Sequence, residues 1–306
     1  MKYLRGSITL INILNHFMNR KGIILAGGKG TRLYPLTLAV TKCLLPIYDK
    51  PMIYYSLSTL MLADIKDILI ISTPEDKSIY SHLIGDGSTW GINVTYEVQL
   101  EPKGIAEALI IADKFVGSDH CALMLADNIF YGQELEQKLM RASNSSNNTV
   151  FAYQVDDPER FGVCDVNGSD NKVCSIEEKP LEPKSNLAVT GLYFYDADAA
   201  NIAKNIKPSN RGELEITDVN IEYMKANKLF CEILGKGYAW IDAGTNESFL
   251  EASNFVKYIE KIQGLKIACP EEVAFNKNWI SSEKVNQLAE KYKNSDYGKY
   301  LKKLIN

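Results

Sequence analysis

Short apolar runs and amphipathic stretches alternate along this chain in an order that predicts βαβ units. Lys21-Gly22-Ile23-Ile24-Leu25-Ala26 reads as a strand that runs into Gly27-Gly28-Lys29-Gly30 and the cation Arg32. Lys50 to Tyr55 predicts a helix opening with Pro51 in its first turn, continued by Leu57, Leu60, Met61 and Leu62. Asp67 to Ser72 is a continuous apolar run, the signature of a strand covered on both faces in a parallel sheet. Ile92 to Gln99 alternates as a strand and hands Gln99 to the loop Pro102-Lys103-Gly104, after which Ile105 to Phe115 reads as a helix. His120 to Asn128 reads as one more buried strand, ending on the carboxylate Asp127.

The second half is richer in short strands, at Thr149 to Val155, Phe161 to Val166, Lys172 to Glu177, Ala188 to Tyr195 and Leu229 to Leu234, with Ser143 to Asn148 as a polar loop. Trp240 to Thr245 closes the sheet region and carries Asp242. Helices follow from about Asn246 to Gln263, with Phe249, Leu250, Phe255, Val256 and Ile259 on one stripe, and from about Ser282 to Tyr292. The pattern predicts an α/β fold, a mixed sheet flanked by helices, with a helical C-terminal region. It divides the chain into an extension over 1–20, a core over 21–245 and a helical region over 246–306. The run Ile8 to Leu14 after Lys2 and Arg5 looks superficially like a signal peptide but lacks a small-residue cleavage site, and Met18 could itself serve as a start.

The glycine loop is the first candidate for chemistry. Gly27, Gly28 and Gly30 leave backbone N–H groups open to an anion, and Arg32 offers a planar fork for phosphate oxygens. A Walker A loop is excluded, since Gly-Lys-Ser/Thr occurs nowhere, and a dinucleotide fingerprint fails because Leu33 stands where its third glycine belongs. Lys42 lies where a second cation could reach a phosphate. Ligands in open α/β sheets sit beyond the carboxyl ends of the strands, so the Gly27 loop, Gln99 and Asp127 are expected at one edge. Gln99 can offer a donor and an acceptor to a base.

Composition narrows the classes. At 306 residues, 46% apolar and 24% charged, the chain is an ordinary globular protein, and a net charge of −4 argues against a nucleic-acid binder. No run reaches the length of a membrane span. Cys43, Cys121, Cys164, Cys174, Cys231 and Cys269 show no metal-ligand spacing and read as reduced thiols of a cytoplasmic protein. Three histidines, His16, His82 and His120, stand far from the glycine loop, which leaves a histidine-based mechanism without support.

Taken together, Gly22–Leu33, Leu44–Tyr55, Gly85–Gly87, Asp127–Gly132, Asp157–Val163, Glu177–Asn186, Val189–Asp196 and Arg211–Asp218 resemble the glucose-1-phosphate thymidylyltransferases of the sugar nucleotidyltransferase family. The resemblance runs from about Arg20 to the C-terminus, and it implies a Rossmann-like core with a sugar-binding portion. It implies transfer of dTMP from dTTP to α-D-glucose 1-phosphate, opening the dTDP-rhamnose route to polysaccharide, in a homotetramer with a regulatory nucleotide-sugar site. Position by position it implies that Gly27, Gly28, Gly30, Thr31 and Arg32 hold the triphosphate, that Lys42 contacts phosphate, and that Gln99 and Gly104 read the thymine. It places Mg²⁺ on Asp127 and Asp242, and the sugar phosphate on Asn128, Gly162, Glu178, Lys179 and Val189, with Arg32, Lys42, Asp127 and Lys179 as the catalytic set. The chain departs from the family pattern at Cys43, Lys103, Ala126 and Ala243, where glutamine, aspartate, glycine and threonine are usual.

This chemistry suits a histidine-poor chain. A sugar 1-phosphate has a second pKa near ~6, so its oxygen is a nucleophile at neutral pH without a general base. Rival readings are a uridylyl- or adenylyl-transferring relative and a catalytically weak nucleotide-sugar sensor.

Overall fold

The structure is a computed structural model that describes residues 19–28, 30–168 and 170–306; the expected extension and its Met18 start lie outside them, except for Asn19 and Arg20. Four parallel strands form its centre, in the spatial order Asn93–Val98, Asp67–Ser72, Arg20–Leu25, His120–Leu125. Beyond His120–Leu125 the sheet turns antiparallel with Leu187–Tyr195, which also pairs with Gly162–Val166 and Asn148–Gln154. Val173–Glu178 and Leu229–Leu234 complete nine strands. The mixed sheet flanked by helices is the expected fold class.

The central strands bury both faces because their apolar runs do not alternate. Ile24, Ile68, Ile70 and Met124 face the helix Ile53–Leu62, while Ile23, Leu69, Ile71 and Leu123 face the helices Glu107–Ile111 and Ile216–Lys225. Arg20 starts the first strand from a buried position, its guanidinium donating to the carbonyls of Ser143, Cys121, Tyr195 and Ser145 at 2.7–3.0 Å. With burial outweighing the nearby Cys121 and Asp196, its pKa falls to about 10. A separate apolar cluster, Val285, Leu288, Tyr300 and Leu301, joins the helices Ser282–Lys291 and Asp296–Lys303.

Several expected elements differ. The helix expected from Lys50 starts at Ile53, because Lys50–Pro51 pairs with Pro46–Ile47 in a short hairpin whose turn residue Tyr48 has φ 58°. The helix expected over 105–115 breaks at Ala112 into Glu107–Ile111 and Asp113–Val116. The strand expected over 120–128 ends at Leu125; Ala126 and Asp127 turn the chain into a second strand, Asn128–Gly132. Tyr238–Asp242 does not extend the main sheet but pairs antiparallel with Asn128–Gly132, setting Asp242 opposite Asn128. Leu250 leaves the buried stripe of the Asn246–Gln263 helix and is exposed. The polar loop shortens to 144–147, flanked by an unforeseen helix, Leu135–Ser143, and by Asn148 already in its strand.

Candidate active site

Past Leu25 the chain leaves the sheet, with the Ala26 N–H still bonded to the Ile71 carbonyl at 2.8 Å. Gly28 takes φ 109° and Gly30 φ 57°, values that a side chain disfavours. The Gly30 carbonyl accepts from Thr37 Oγ1 at 2.8 Å, and Thr31–Leu33 forms one tight helical turn that carries Arg32. A Cβ on Gly27 would lie 2.8 Å from Gln99 Oε1, so the bare backbone is what lets Gln99 come up against the loop.

Gln99 arrives buried at the end of its strand. Its Nε2 donates to Glu107 Oε2 at 2.7 Å and to the Gly104 carbonyl at 3.3 Å, which joins the two residues expected to read a base. Gly104 has φ 107°, and a Cβ there would lie 2.3 Å from the Leu214 carbonyl oxygen. Gln99 and Gly28, with Tyr34, Thr41 and Asp76, line a cavity of about 430 Å³.

A second cavity, of about 330 Å³, gathers most of the other expected residues: Gly27, Arg32, Lys42, Asp127, Asn128, Gly162, Glu178, Lys179, Val189 and Asp242. Gly30, Thr31 and Gly104 line neither cavity, and Gly104 is joined to the first one only through its carbonyl, which accepts from Gln99. Four strand ends and two loops therefore converge at one edge of the sheet, as the topology rule for such sheets requires.

The electrostatics of this cavity centre on two carboxylates. Lys42 Nζ pairs with Asp127 Oδ2, and Asn128 Nδ2 donates to Asp127 Oδ1 at 2.9 Å. Burial would raise the Asp127 pKa, but Lys42 and these hydrogen bonds prevail and hold it below the usual carboxylate range. Burial likewise opposes charge on Lys42, yet Asp127 beside it moves its pKa up. Among the described residues Asp242 has no such partner in bonding distance: burial and the Asp127 charge push it up to about 6, against the pull of Lys42, Arg32 and Arg160. Gly244 makes room here, since a Cβ on it would lie 3.1 Å from Arg32 Nη2 and 3.2 Å from Asp242 Oδ1.

A second group of polar residues stands around Glu178. Its Oε2 accepts from Thr217 Oγ1 at 2.5 Å, and its Oε1 lies 3.3 Å from Arg211 Nη2 and 3.4 Å from Lys179 Nζ. Lys179 follows the strand with φ 45°, its N–H on the Phe161 carbonyl at 2.9 Å. Gly162 keeps this corner open, as a Cβ on it would lie 3.2 Å from Thr217 Oγ1.

Sequence reasoning gave no role to Arg160, Phe161, Gly191, Thr217 and Trp240, which also line the cavity. Arg160, Phe161 and Thr217 sat inside motifs already singled out, and Trp240 stands two positions before Asp242; what was missing was the pairing that turns them inward. Cys43 lines the same cavity as a neutral thiol, its pKa pushed up to about 12 by burial.

The family model described as nucleotidyl transferase matches residues 21–258, which include every residue of both cavities. The chain belongs to the nucleotidyl transferase family. Among relatives of this nucleotidyl transferase, the glucose-1-phosphate thymidylyltransferase of Neisseria meningitidis is 55% identical over 93% of this chain and 99% of its own length. A Bacillus anthracis structure described as a glucose-1-phosphate thymidylyltransferase, in complex with a sucrose, superposes with a TM-score of 0.70 at 43% identity, covering 77% of this chain and 94% of that one. UDP-glucose pyrophosphorylase complexed with UDP-glucose superposes equally well, at 0.70, but at 26% identity over 80% of this chain and 100% of its own. The nucleotidyl transferase thus shares its architecture with enzymes named for different bases and stands much closer in sequence to the thymidylyl-transferring ones.

Proposed function

We propose that this chain is a glucose-1-phosphate thymidylyltransferase: it transfers dTMP from dTTP to α-D-glucose 1-phosphate, giving dTDP-glucose and pyrophosphate. The observation that carries the reading is the gathering of a glycine loop, two cations, two carboxylates and the Glu178–Lys179 pair around one cavity. The high identity to relatives of that name supports it.

In this reading Gly27, Gly28, Gly30, Thr31 and Arg32 hold the triphosphate, Lys42 meets phosphate oxygens, and Gln99 with Gly104 reads the thymine. Glu178 takes sugar hydroxyls, while Lys179 holds the phosphate of the sugar, beside Asn128, Gly162 and Val189. The acceptor oxygen is already ionised and attacks the α-phosphorus in line, so the residues need only position both substrates and offset charge on the equatorial oxygens. No residue has to remove a proton.

The family generally uses Mg²⁺, and the donor set fits it. Asp127 and Asp242 are hard oxygen donors lining one cavity, and burial together with the Asp127 charge raises the Asp242 pKa, a cost to its ionised form that a bound cation offsets. Among the described residues no larger group of metal-ligating side chains gathers, which suits an ion that takes its remaining ligands from water and substrate phosphates. When bound, Mg²⁺ supplies Lewis-acid stabilisation of the charge developing on the transferred phosphoryl group.

Residues 21–245 make up the catalytic core and 246–306 a helical region. Exposed Leu250, Tyr258 and Ile262 on the Asn246–Gln263 helix, with Leu265 beyond it, support burial between subunits of a homotetramer, for which sedimentation is the check. A regulatory nucleotide-sugar site at subunit contacts follows the same resemblance. Six unpaired cysteines fit a reducing, cytoplasmic setting, and no helix among the described residues is long and apolar enough to cross a membrane.

The deciding experiment measures pyrophosphate release with glucose 1-phosphate and dTTP, UTP or ATP in turn. Release strongly favouring dTTP is expected; preference for UTP or ATP moves the chain to the uridylyl- or adenylyl-transferring branch, and no release with any nucleotide leaves the sensor reading.

A further inference from the structure

Asn128 is almost wholly buried, at 2% exposure, yet three polar contacts converge on its amide. Its Oδ1 accepts from the Trp240 indole Nε1–H at 2.6 Å and from the Gly191 N–H at 2.9 Å, while its Nδ2 donates to Asp127 Oδ1 at 2.9 Å. Indole and backbone N–H groups can only donate, so the atom they share must be the amide oxygen, and the NH₂ group must face Asp127. Rotating the amide by half a turn would set N–H against two N–H donors inside the protein. The orientation is therefore locked.

The lock is built from three separated segments. Tyr238–Asp242 pairs with Asn128–Gly132 with Trp240 opposite Phe130, and the register of Leu187–Tyr195 against Asn148–Gln154 is interrupted between Val189 and Tyr193. That irregularity lets the Gly191 N–H turn to a side chain instead of a neighbouring strand. Gly191 must be glycine for the approach, since a Cβ would lie 2.7 Å from Asn128 Cγ. Trp240 is in turn held edge-on by Phe161, with ring centroids 5.2 Å apart, and by Tyr153, at 6.3 Å.

We propose that Trp240, with Gly191, is a positioning residue for the metal carboxylate, acting through Asn128 to fix the plane of Asp127. This rests on the reading of Asp127 and Asp242 as the Mg²⁺ ligands. Lys42 engages Oδ2 of Asp127 and Asn128 engages Oδ1, so each oxygen has its own anchor and neither alone sets the plane. Because Phe161 precedes Gly162 at the Glu178 corner, the same indole also ties the acceptor end of the cavity to the carboxylate end.

The test substitutes Trp240→Phe, which keeps the aromatic packing and deletes only the N–H, and Gly191→Ala, which pushes Asn128 from the other side. Full-length protein with dTTP and no sugar phosphate is titrated with Mn²⁺, free Mn²⁺ being read by electron paramagnetic resonance, and dTTP affinity is measured separately with the metal chelated. Outer hydrogen bonds to metal ligands are worth roughly 10–100-fold in metal affinity, so a rise of about tenfold in the Mn²⁺ dissociation constant is expected for each variant, with metal-free dTTP binding unchanged. Unchanged Mn²⁺ affinity in folded Trp240→Phe overturns the proposal, as does an equal loss of metal-free dTTP binding, which would mark a merely structural role. Should either variant not fold, Asn128→Ala carries the same expectation and the same overturning result. If the unaltered protein binds no Mn²⁺ with dTTP, the metal reading of Asp127 and Asp242 fails instead, and the two failures are told apart.

Discussion

The glycine loop and the carboxylate pair line one cavity and are built in opposite ways. The loop is made locally: Thr37 holds Gly30, Lys42 lies twelve positions on, and neighbouring Leu36, Leu38 and Val40 are exposed. The carboxylates lie 115 positions apart in the chain, meet only because Asp242 pairs opposite Asn128, and are framed by buried, fully engaged polar groups. An anion cradle needs open N–H groups and a cation, which a short segment can supply. Two like charges held together need a surrounding that over-determines them, and that takes the whole fold.

The comparison breaks hardest at the carboxylates. Asp127→Asn or Asp242→Asn preserves shape but removes half of the charge proposed to hold the metal, and each is expected to lower the rate by about 10²–10³. Because the pair acts as a unit, the double variant should be little worse than the worse single one. Pyrophosphate release followed against Mg²⁺ concentration checks both; near-normal activity with unchanged Mg²⁺ dependence in either single variant removes that aspartate from the metal site.

Lys179 comes next. Lys179→Ala is expected to cut kcat/KM for glucose 1-phosphate by roughly 10–100-fold, the worth of a charge-assisted contact, while the dTTP dissociation constant stays put. The backbone there has φ 45°, so Lys179→Gly should lose the same activity but unfold at a higher temperature than Lys179→Ala. Equal damage to both substrates would reassign the lysine.

On the loop side, Gly104→Ala forces a Cβ against the Leu214 carbonyl at an unfavourable φ, and moving the loop would displace the carbonyl that Gln99 holds. An increase of about tenfold in the KM for dTTP is expected, the equivalent of a strain of ~1–3 kcal/mol expressed mainly at the base site. An unchanged preference for dTTP over UTP together with an unchanged KM would take Gly104 out of base recognition.

What could be read in advance follows the same divide. The central parallel strands and the Gly27 loop were legible because apolar runs and glycine spacing are local signals. Asp67–Ser72 and Leu229–Leu234 have the bounds their patterns gave. Among the described residues six α-helices, including Lys77–Ile84, Ala199–Asn205 and Asp296–Lys303, were not foreseen, being segments too short to hold as helices without tertiary packing. The break after Leu125 was hidden as well, because Ala126-Asp127-Asn128 holds no glycine or proline to mark a turn, and only the pairing of Asn128–Gly132 with Tyr238–Asp242 separates the two strands. Trp240 and Gly191 could not be found from letters alone: nothing local to either points at Asn128.

The finest test of the divide concerns stability without metal. Asp242 has its folded pKa raised to about 6 from 3.8 by burial and by the Asp127 charge. Between those values the folded protein binds more protons than the unfolded chain, so this residue makes stability fall as pH rises from ~4 to ~6, and the loss is complete above that window. Asp242→Asn removes the charge and should therefore stabilise the chelator-treated protein at pH 7, by about 1–3 kcal/mol, while the difference disappears below pH ~4 where both side chains are neutral. Asp127→Asn is expected to do the reverse at pH 7, since its carboxylate is held below the ordinary value by Lys42 and its loss leaves that ammonium unpaired. Denaturant midpoints of the three proteins with excess chelator, taken at several pH values, give the comparison directly. A variant that loses rate yet gains metal-free stability identifies Asp242 as the residue whose charge the fold tolerates for the sake of the cation. Destabilisation by Asp242→Asn at neutral pH would mean that the Arg32 and Arg160 charges already compensate it.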